Sequence, residues 1–143
     1  MSIIKNAMSK ETTNWVEYPE IDGFEVHFKF LSREDLLKIR NKSTVLKLNK
    51  KTRAKEEVVD NNRFIANYAE ATILGWRGLK IKNLPDLLPM DVTGMNGNTE
   101  VVYDSDEAVE LLKNSTEFDE FVTETLNDFQ LFTNKKAEED VKN

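Results

Sequence analysis

Phe24-Glu25-Val26-His27-Phe28-Lys29-Phe30 sets an apolar side chain at every second position and a charged or polar one between. That two-residue period is the mark of a strand with one face buried and the other in water, since a helix would bring like residues round every three or four. Just upstream, Trp15, Val16 and Tyr18 lead through Pro19-Glu20-Ile21-Asp22-Gly23, a turn composition. The strand is therefore expected as the second arm of an N-terminal β-hairpin.

Ser32-Arg33-Glu34-Asp35 then fits a capping box in its S-x-x-D form and predicts a helix to about Asn41, burying Leu36, Leu37 and either Ile39 or the stem of Arg40. Ser43 to Lys55, rich in Lys, Asn and Thr, reads as a charged connector in which Val45, Leu46 and Leu48 either extend a strand or anchor a loop. From Glu56 to Trp76 the apolar residues Val58, Ile65, Tyr68, Ala69, Ile73 and Trp76 recur at helical spacing, which predicts the longest helix, ended by Gly75 and Gly78. Leu79 to Gly97 holds Pro85, Pro89 and the tight-turn pair Asn96-Gly97, and reads as loop leading to a short strand at Val101-Val102-Tyr103.

Ser105-Asp106-Glu107 opens a further helix, with a capping hydroxyl and acids where the helix dipole favours them. After an interruption at Lys113-Asn114-Ser115, Phe118, Phe121, Val122, Thr125, Leu126, Phe129 and Phe132 predict a last helix over Ser115 to Thr133. These elements together predict an α+β fold, predominantly helical, with an N-terminal β-hairpin followed by about four helices in a single compact domain over residues 14–132. Residues 1–13 read as a flexible arm and 133–143 as a disordered polar tail.

At 143 residues the chain is long enough to bury a core without metals or disulfides, and it has no cysteine, which points to a cytosolic site of action. No apolar run approaches the roughly 18 residues of a spanning helix, and the N-terminus lacks the apolar stretch of a signal peptide. A net charge of −6 argues against a nucleic-acid partner. The charge is uneven, however: Lys29 to Arg63 holds eleven Lys/Arg against five Asp/Glu, and Asp104 to Asp128 nine Asp/Glu against Lys113 alone. Either these are two solvated faces of opposite sign, or they steer subunit or partner docking.

Nothing in the sequence assembles a catalytic, metal or cofactor site. His27 is the only histidine, on the polar side of its alternation and with no Cys or second His to share a metal. Asp104-Ser105-Asp106-Glu107 is too short for a calcium loop and stands where a helix start wants acids. Gly94-Met95-Asn96-Gly97 lacks the Lys-Ser/Thr of a phosphate loop, and there is no Gly-x-Ser-x-Gly elbow. Lys47, Lys50, Lys51, Arg53 and Lys55 have no aromatic residue among them to stack bases. The expectation is a protein that binds protein, not an enzyme. Phe118, Phe121, Leu126, Phe129 and Phe132 are its candidate contacts, with burial in the chain's own core as the other reading of the same stripe.

Ala71-Thr72-Ile73-Leu74-Gly75-Trp76-Arg77-Gly78-Leu79, the loop with Pro85 and Pro89, Val101 to Ser105, the Leu111-Leu112 pair and the Phe-bearing last helix follow one another in a layout that resembles the tail assembly chaperones of long-tailed bacteriophages. In that family a helix commonly ends in a W-x-G-L-like turn, here Trp76-Arg77-Gly78-Leu79. The hairpin before Ser32 resembles the family's opening, while the loop from Lys80 to Glu100 is longer than usual. The resemblance implies a non-enzymatic protein of the host cytoplasm, absent from the finished virion, that self-associates along the phage tape measure protein and helps recruit the major tail tube protein. No nucleic acid, membrane or cofactor is expected, from the net charge, the lack of a spanning run and the missing motifs. The acidic stretch motivates a second class, inhibition of a host enzyme, and a structural tail-completion subunit is a third.

Overall fold

The computed structural model describes residues 2–8 and 12–133. Along them run α1 (Ile3–Ala7), β1 (Thr13–Glu17), β2 (Glu25–Lys29), α2 (Arg33–Lys42), β3 (Thr44–Leu48), β4 (Lys55–Val59), α3 (Asn61–Thr72), β5 (Ile73–Arg77), a 3-10 helix (Ile81–Asp86), α4 (Ser105–Asn114), α5 (Thr116–Asn127) and a second 3-10 helix (Phe129–Phe132). The expected tail over 134–143 lies outside the described residues, and part of the expected N-terminal arm is the short helix α1.

The alternation at Phe24 to Phe30 makes β2 the middle strand of a three-stranded antiparallel sheet, in the order β1-β2-β5. β1 and β2 form the expected hairpin, in register from Thr13 opposite Lys29 to Glu17 opposite Glu25. Phe24, Val26 and Phe28 are wholly buried on the inner face, each contributing roughly 1.5–3 kcal/mol. On the outer face Trp15 stacks on His27 at 4.6 Å between ring centroids, and the Arg77 guanidinium lies 4.2 Å from the Trp15 ring while its Nε donates to Glu25 at 3.0 Å.

The structure overturns the helix-dominated expectation: the described residues are about 46% helix and 21% strand, with two small sheets. The predicted helix from Glu56 to Trp76 is three elements. Glu56 to Val59 belongs to β4, the helix itself starts behind the cap of Asp60, whose side chain accepts from Arg63 N, and it stops at Thr72. Ile73 and Trp76 look helical because they are three apart, yet both sit on the inner face of β5. A β-bulge supplies the extra residue: Trp76 pairs with Val26 and Ile73 with Phe28, so Leu74 is unmatched. The W-x-G-L turn accordingly ends a strand and not a helix.

The supposed connector at 43–55 is the other correction. β3 and β4 pair antiparallel from Thr44 opposite Val59 to Leu48 opposite Lys55, so of the two readings of Val45, Leu46 and Leu48 the strand is the one formed. The expected strand at 101–103 does not form; Val101 N donates to Leu79 O and a single bridge joins Lys80 to Glu100. Ser32 makes both halves of its capping box with Asp35, and α2 buries Ile39 while leaving Leu36 and Leu37 exposed.

α3 packs on α4 and α4 on α5, and their inner residues Ala69, Ala108, Leu112 and Val122 join the β2 face in one buried cluster. Ser115, itself buried, governs the corner between α4 and α5: its Oγ accepts from Phe118 N at 3.0 Å and donates to Leu87 O, tying the 79–103 loop to the start of α5.

Gly78 has φ +80°, and a Cβ added there would stand 1.9 Å from the Gly23 carbonyl oxygen, backbone against backbone. Gly78→Ala should therefore lower stability by about 3 kcal/mol or more. Gly75→Ala, whose added Cβ meets nothing within 4 Å, should change it by less than about 1 kcal/mol. Urea melts of the two variants compare them directly.

Candidate protein-interaction site

The structure divides the five candidate contacts. α5 ends at Asp128, where φ −95° and ψ 82° leave the helical region, and the chain re-enters a 3-10 turn at Phe129, so the predicted stripe to Thr133 is broken in two. Phe118 is wholly buried, edge-on to Trp76 at 6.4 Å. Phe121 is partly buried against Tyr18 at 4.9 Å and Phe28 at 5.5 Å, and Leu126 packs partly on the same core. Phe132 is buried beside Phe30, 5.6 Å away. Phe118 and Phe132 thus offer no surface to a partner, because the hairpin's inner face and the last two helical segments cover one another. Phe129 points the other way and is 60% exposed.

Phe129 lines a groove of about 420 Å³ together with Phe30, Phe132, Met8, Glu34 and Asp35. Three parts of the chain build it. Phe30 N donates to Thr12 O at 2.7 Å, which brings the segment before β1 alongside the end of β2. Asn14 Nδ2 donates to Leu131 O at 2.8 Å, which holds the 3-10 turn against β1. The capping box at Ser32 occupies Asp35, while Glu34 reaches Lys38 at 3.8 Å. Sequence periodicity picks out Phe30, Phe129 and Phe132 as apolar positions but not their meeting with one another and with Met8, since the groove arises where the two ends of the described chain meet.

A second apolar cleft, of about 210 Å³, opens between the 79–90 segment and α4, lined by Leu79, Leu84, Leu88 and Leu111 with Glu107 and Glu110 at its rim. The signal that could have pointed to it is the unusual apolar content of a Pro-containing loop. Acids gather elsewhere too: Glu117, Glu120 and Glu124 of α5 face Glu20 across a shallow groove that also touches Tyr18 and Phe121. Tyr18 is held above its ordinary value of about 10, first by burial and then by Glu20, Glu117, Asp86 and Glu120. Burial likewise raises Tyr68, with Asp119 adding, and Tyr103, with Asp104 and Glu70 adding. The Asp104 carboxylate is engaged as a cap, accepting from Asp106 N at 2.8 Å.

Among the described residues no three His, Asp or Glu are placed to hold a metal ion, and no helix is long and apolar enough to cross a membrane.

Truncating a core phenylalanine leaves a cavity, so Phe118→Ala should cost about 3–5 kcal/mol, whereas Phe129→Ala should cost under about 1 kcal/mol. Chemical denaturation of both checks the division of the stripe into core and surface. The raised tyrosines add a pH dependence. The unfolded chain loses these protons first, so their contribution is intact below about pH 10 and is lost as pH rises through the folded-state values. Urea midpoints should hold from about pH 8 to 10 and then fall, with tyrosinate absorbance appearing alongside unfolding.

No curated protein and no solved structure matches the chain. The family model described as YdaY prophage protein matches residues 34–143, from α2 through the α4–α5 pair and Phe129. With more than half of the chain matched, the protein belongs to the YdaY prophage protein family and is phage-derived.

Proposed function

We propose that this prophage protein acts by binding other proteins, without catalysis, and that it is a tail assembly chaperone that keeps the tape measure protein soluble in the host cytoplasm until tail tube subunits surround it. The observation that carries the reading is Phe129, 60% exposed above the Phe30–Phe132 groove. A solvated phenylalanine at a groove of mixed lining, with Phe30, Phe132 and Met8 beside Thr12, Ser32, Glu34 and Asp35, favours a partner that covers it, and burial of the ring alone is worth roughly 1.5–3 kcal/mol. The occupant that fits is the apolar face of an amphipathic helix, whose flanking lysines would meet Glu34 and Asp35 at the rim.

Co-expression with the tape measure protein of the same prophage should raise that protein's soluble fraction. Phe129→Asp should abolish the gain while leaving the thermal melt of the chaperone unchanged. A tape measure protein equally insoluble with and without the partner, or a Phe129→Asp variant that still solubilises it, refutes the proposal.

The acidic surface of α4 and α5 favours a second reading, in which the protein binds and inhibits a host enzyme. Pull-down from host lysate that returns one host enzyme and no tail protein would replace the first reading with the second. Recovery of the protein from purified virions would instead favour a structural tail-completion subunit.

A further inference from the structure

The β3–β4 hairpin is anchored at its base and free along its length. Asp60 N donates to Ser43 O at 2.9 Å, Ser43 Oγ donates to Ile39 O at 2.6 Å, and Asn67 Nδ2 donates to Ser43 Oγ at 3.1 Å, so α2, α3 and both strand roots share one polar knot. Beyond Val45 and Val58 the two strands pack mainly on each other, and residues 46–57 are exposed apart from Asn49. Asn49 closes the tip: its backbone N donates to Ala54 O at 2.9 Å, its carbonyl accepts from Arg53 N at 2.7 Å, and its side-chain oxygen accepts from Lys51 N at 2.8 Å. Arg53 takes the left-handed conformation, φ 60°, to complete the turn. The tip is a built turn and the arm is set in place before any partner arrives.

On this ribbon stand Lys47, Lys50, Lys51, Arg53 and Lys55 against two acids, Glu56 and Glu57 of β4, and no acid lies between residues 46 and 55, which include the tip. Among the described residues the ion pairs are Lys38–Glu34 and Arg77–Glu25, so none of the five ribbon cations has a carboxylate partner. Glu56, which lies across from Lys47, instead accepts from Asn49 Nδ2 at 2.9 Å. Leu46 and Leu48 share one face of β3 and are 66% and 59% exposed.

We infer that the β3–β4 ribbon is a binding arm for duplex nucleic acid, its cations on the phosphates and the face of Leu46 and Leu48, which also carries Glu57 and Lys55 across from them, toward the base edges. Phosphate neutralisation calls for unpaired cations, which the ribbon presents from both strands and the tip. A two-stranded ribbon fits the major groove of a duplex, and exposed aliphatic side chains can meet thymine methyls or wedge a base step. The absence of any aromatic residue on the ribbon removes the stacking that single strands need, which selects the duplex. The net charge of −6 does not cancel this field. The acids from Asp104 to Asp128 lie mostly on α4 and α5, elements that do not pack substantially on β3 or β4. The inference does not depend on the Phe129 groove and can fail or hold without it.

The test is fluorescence anisotropy of a labelled duplex of about 25 base pairs with the full chain at about 50 mM salt, repeated with Lys50, Lys51 and Lys55 all changed to Gln. Wild type should bind with a log–log salt slope of about −4 to −5, and the triple variant should lose about tenfold or more in affinity as its slope falls to about −2. An unchanged thermal melt shows that the variant still folds. No retention of the duplex, or equal retention by the variant, overturns the inference. Sedimentation of the same pair covers the competing occupant: if the variant loses self-association while wild type never retains the duplex, the ribbon serves the acidic face of a second copy.

Discussion

Phe24, Val26 and Phe28 leave water on one face of one strand, and every larger feature of the molecule follows from the need to cover that face. β1 and β5 flank it, α3 to α5 roof it, and the turn at Pro19–Gly23 folds Tyr18 and Ile21 back under it. The constraint is tight because β5 must present both Ile73 and Trp76 to the same core. It does so through the bulge at Leu74, and the backbone then passes Gly23 so closely that only a glycine serves at 78. From there Trp76 Nε1 donates to Val101 O at 2.8 Å and Tyr103 Oη to Ile73 O at 2.8 Å, which fastens the long loop along the edge of β5.

Covering the sheet uses up most of the aromatic segment at the end of the described chain. Phe118, Phe121 and Phe132 face the hairpin as internal packing, and the break at Asp128 turns Phe129 outward. The split has a direct consequence for binding. A continuous helix to Thr133 would have carried its aromatic residues on one stripe, all buried or all free together. The 3-10 turn lets one ring stay outside while its neighbour seals the core, which produces a groove with a fixed floor and a single solvated aromatic residue at its edge.

Charge is arranged on the same frame. The acids of α4 and α5 lie on the helical side, where burial first and then Glu20, Glu117, Asp86 and Glu120 raise Tyr18, whereas the basic run leaves the body on a ribbon with its own hydrogen-bonded tip. Opposite charges far apart in sequence are thereby kept on separate elements, and each can meet a different partner without first breaking an internal ion pair.

What the sequence determined by itself were the features that rest on near neighbours: the alternation of β2 and its hairpin with β1, the capping box at Ser32, a helix start beside Ser105, though the cap is Asp104 and not the Ser105 hydroxyl, and the basic and acidic runs. A local pattern suffices there because period, caps and charge depend on residues a few positions apart. The tertiary structure alone decided the rest. Ile73 and Trp76 carry helical spacing and become a strand because pairing with Val26 and Phe28 outweighs local periodicity and a bulge absorbs the mismatch. Lys47 to Lys55 reads as a loop and becomes a ribbon through pairing across the Asn49 turn. The candidate groove needs Met8, Phe30 and Phe129 side by side, and only folding brings residues so distant in sequence into one surface.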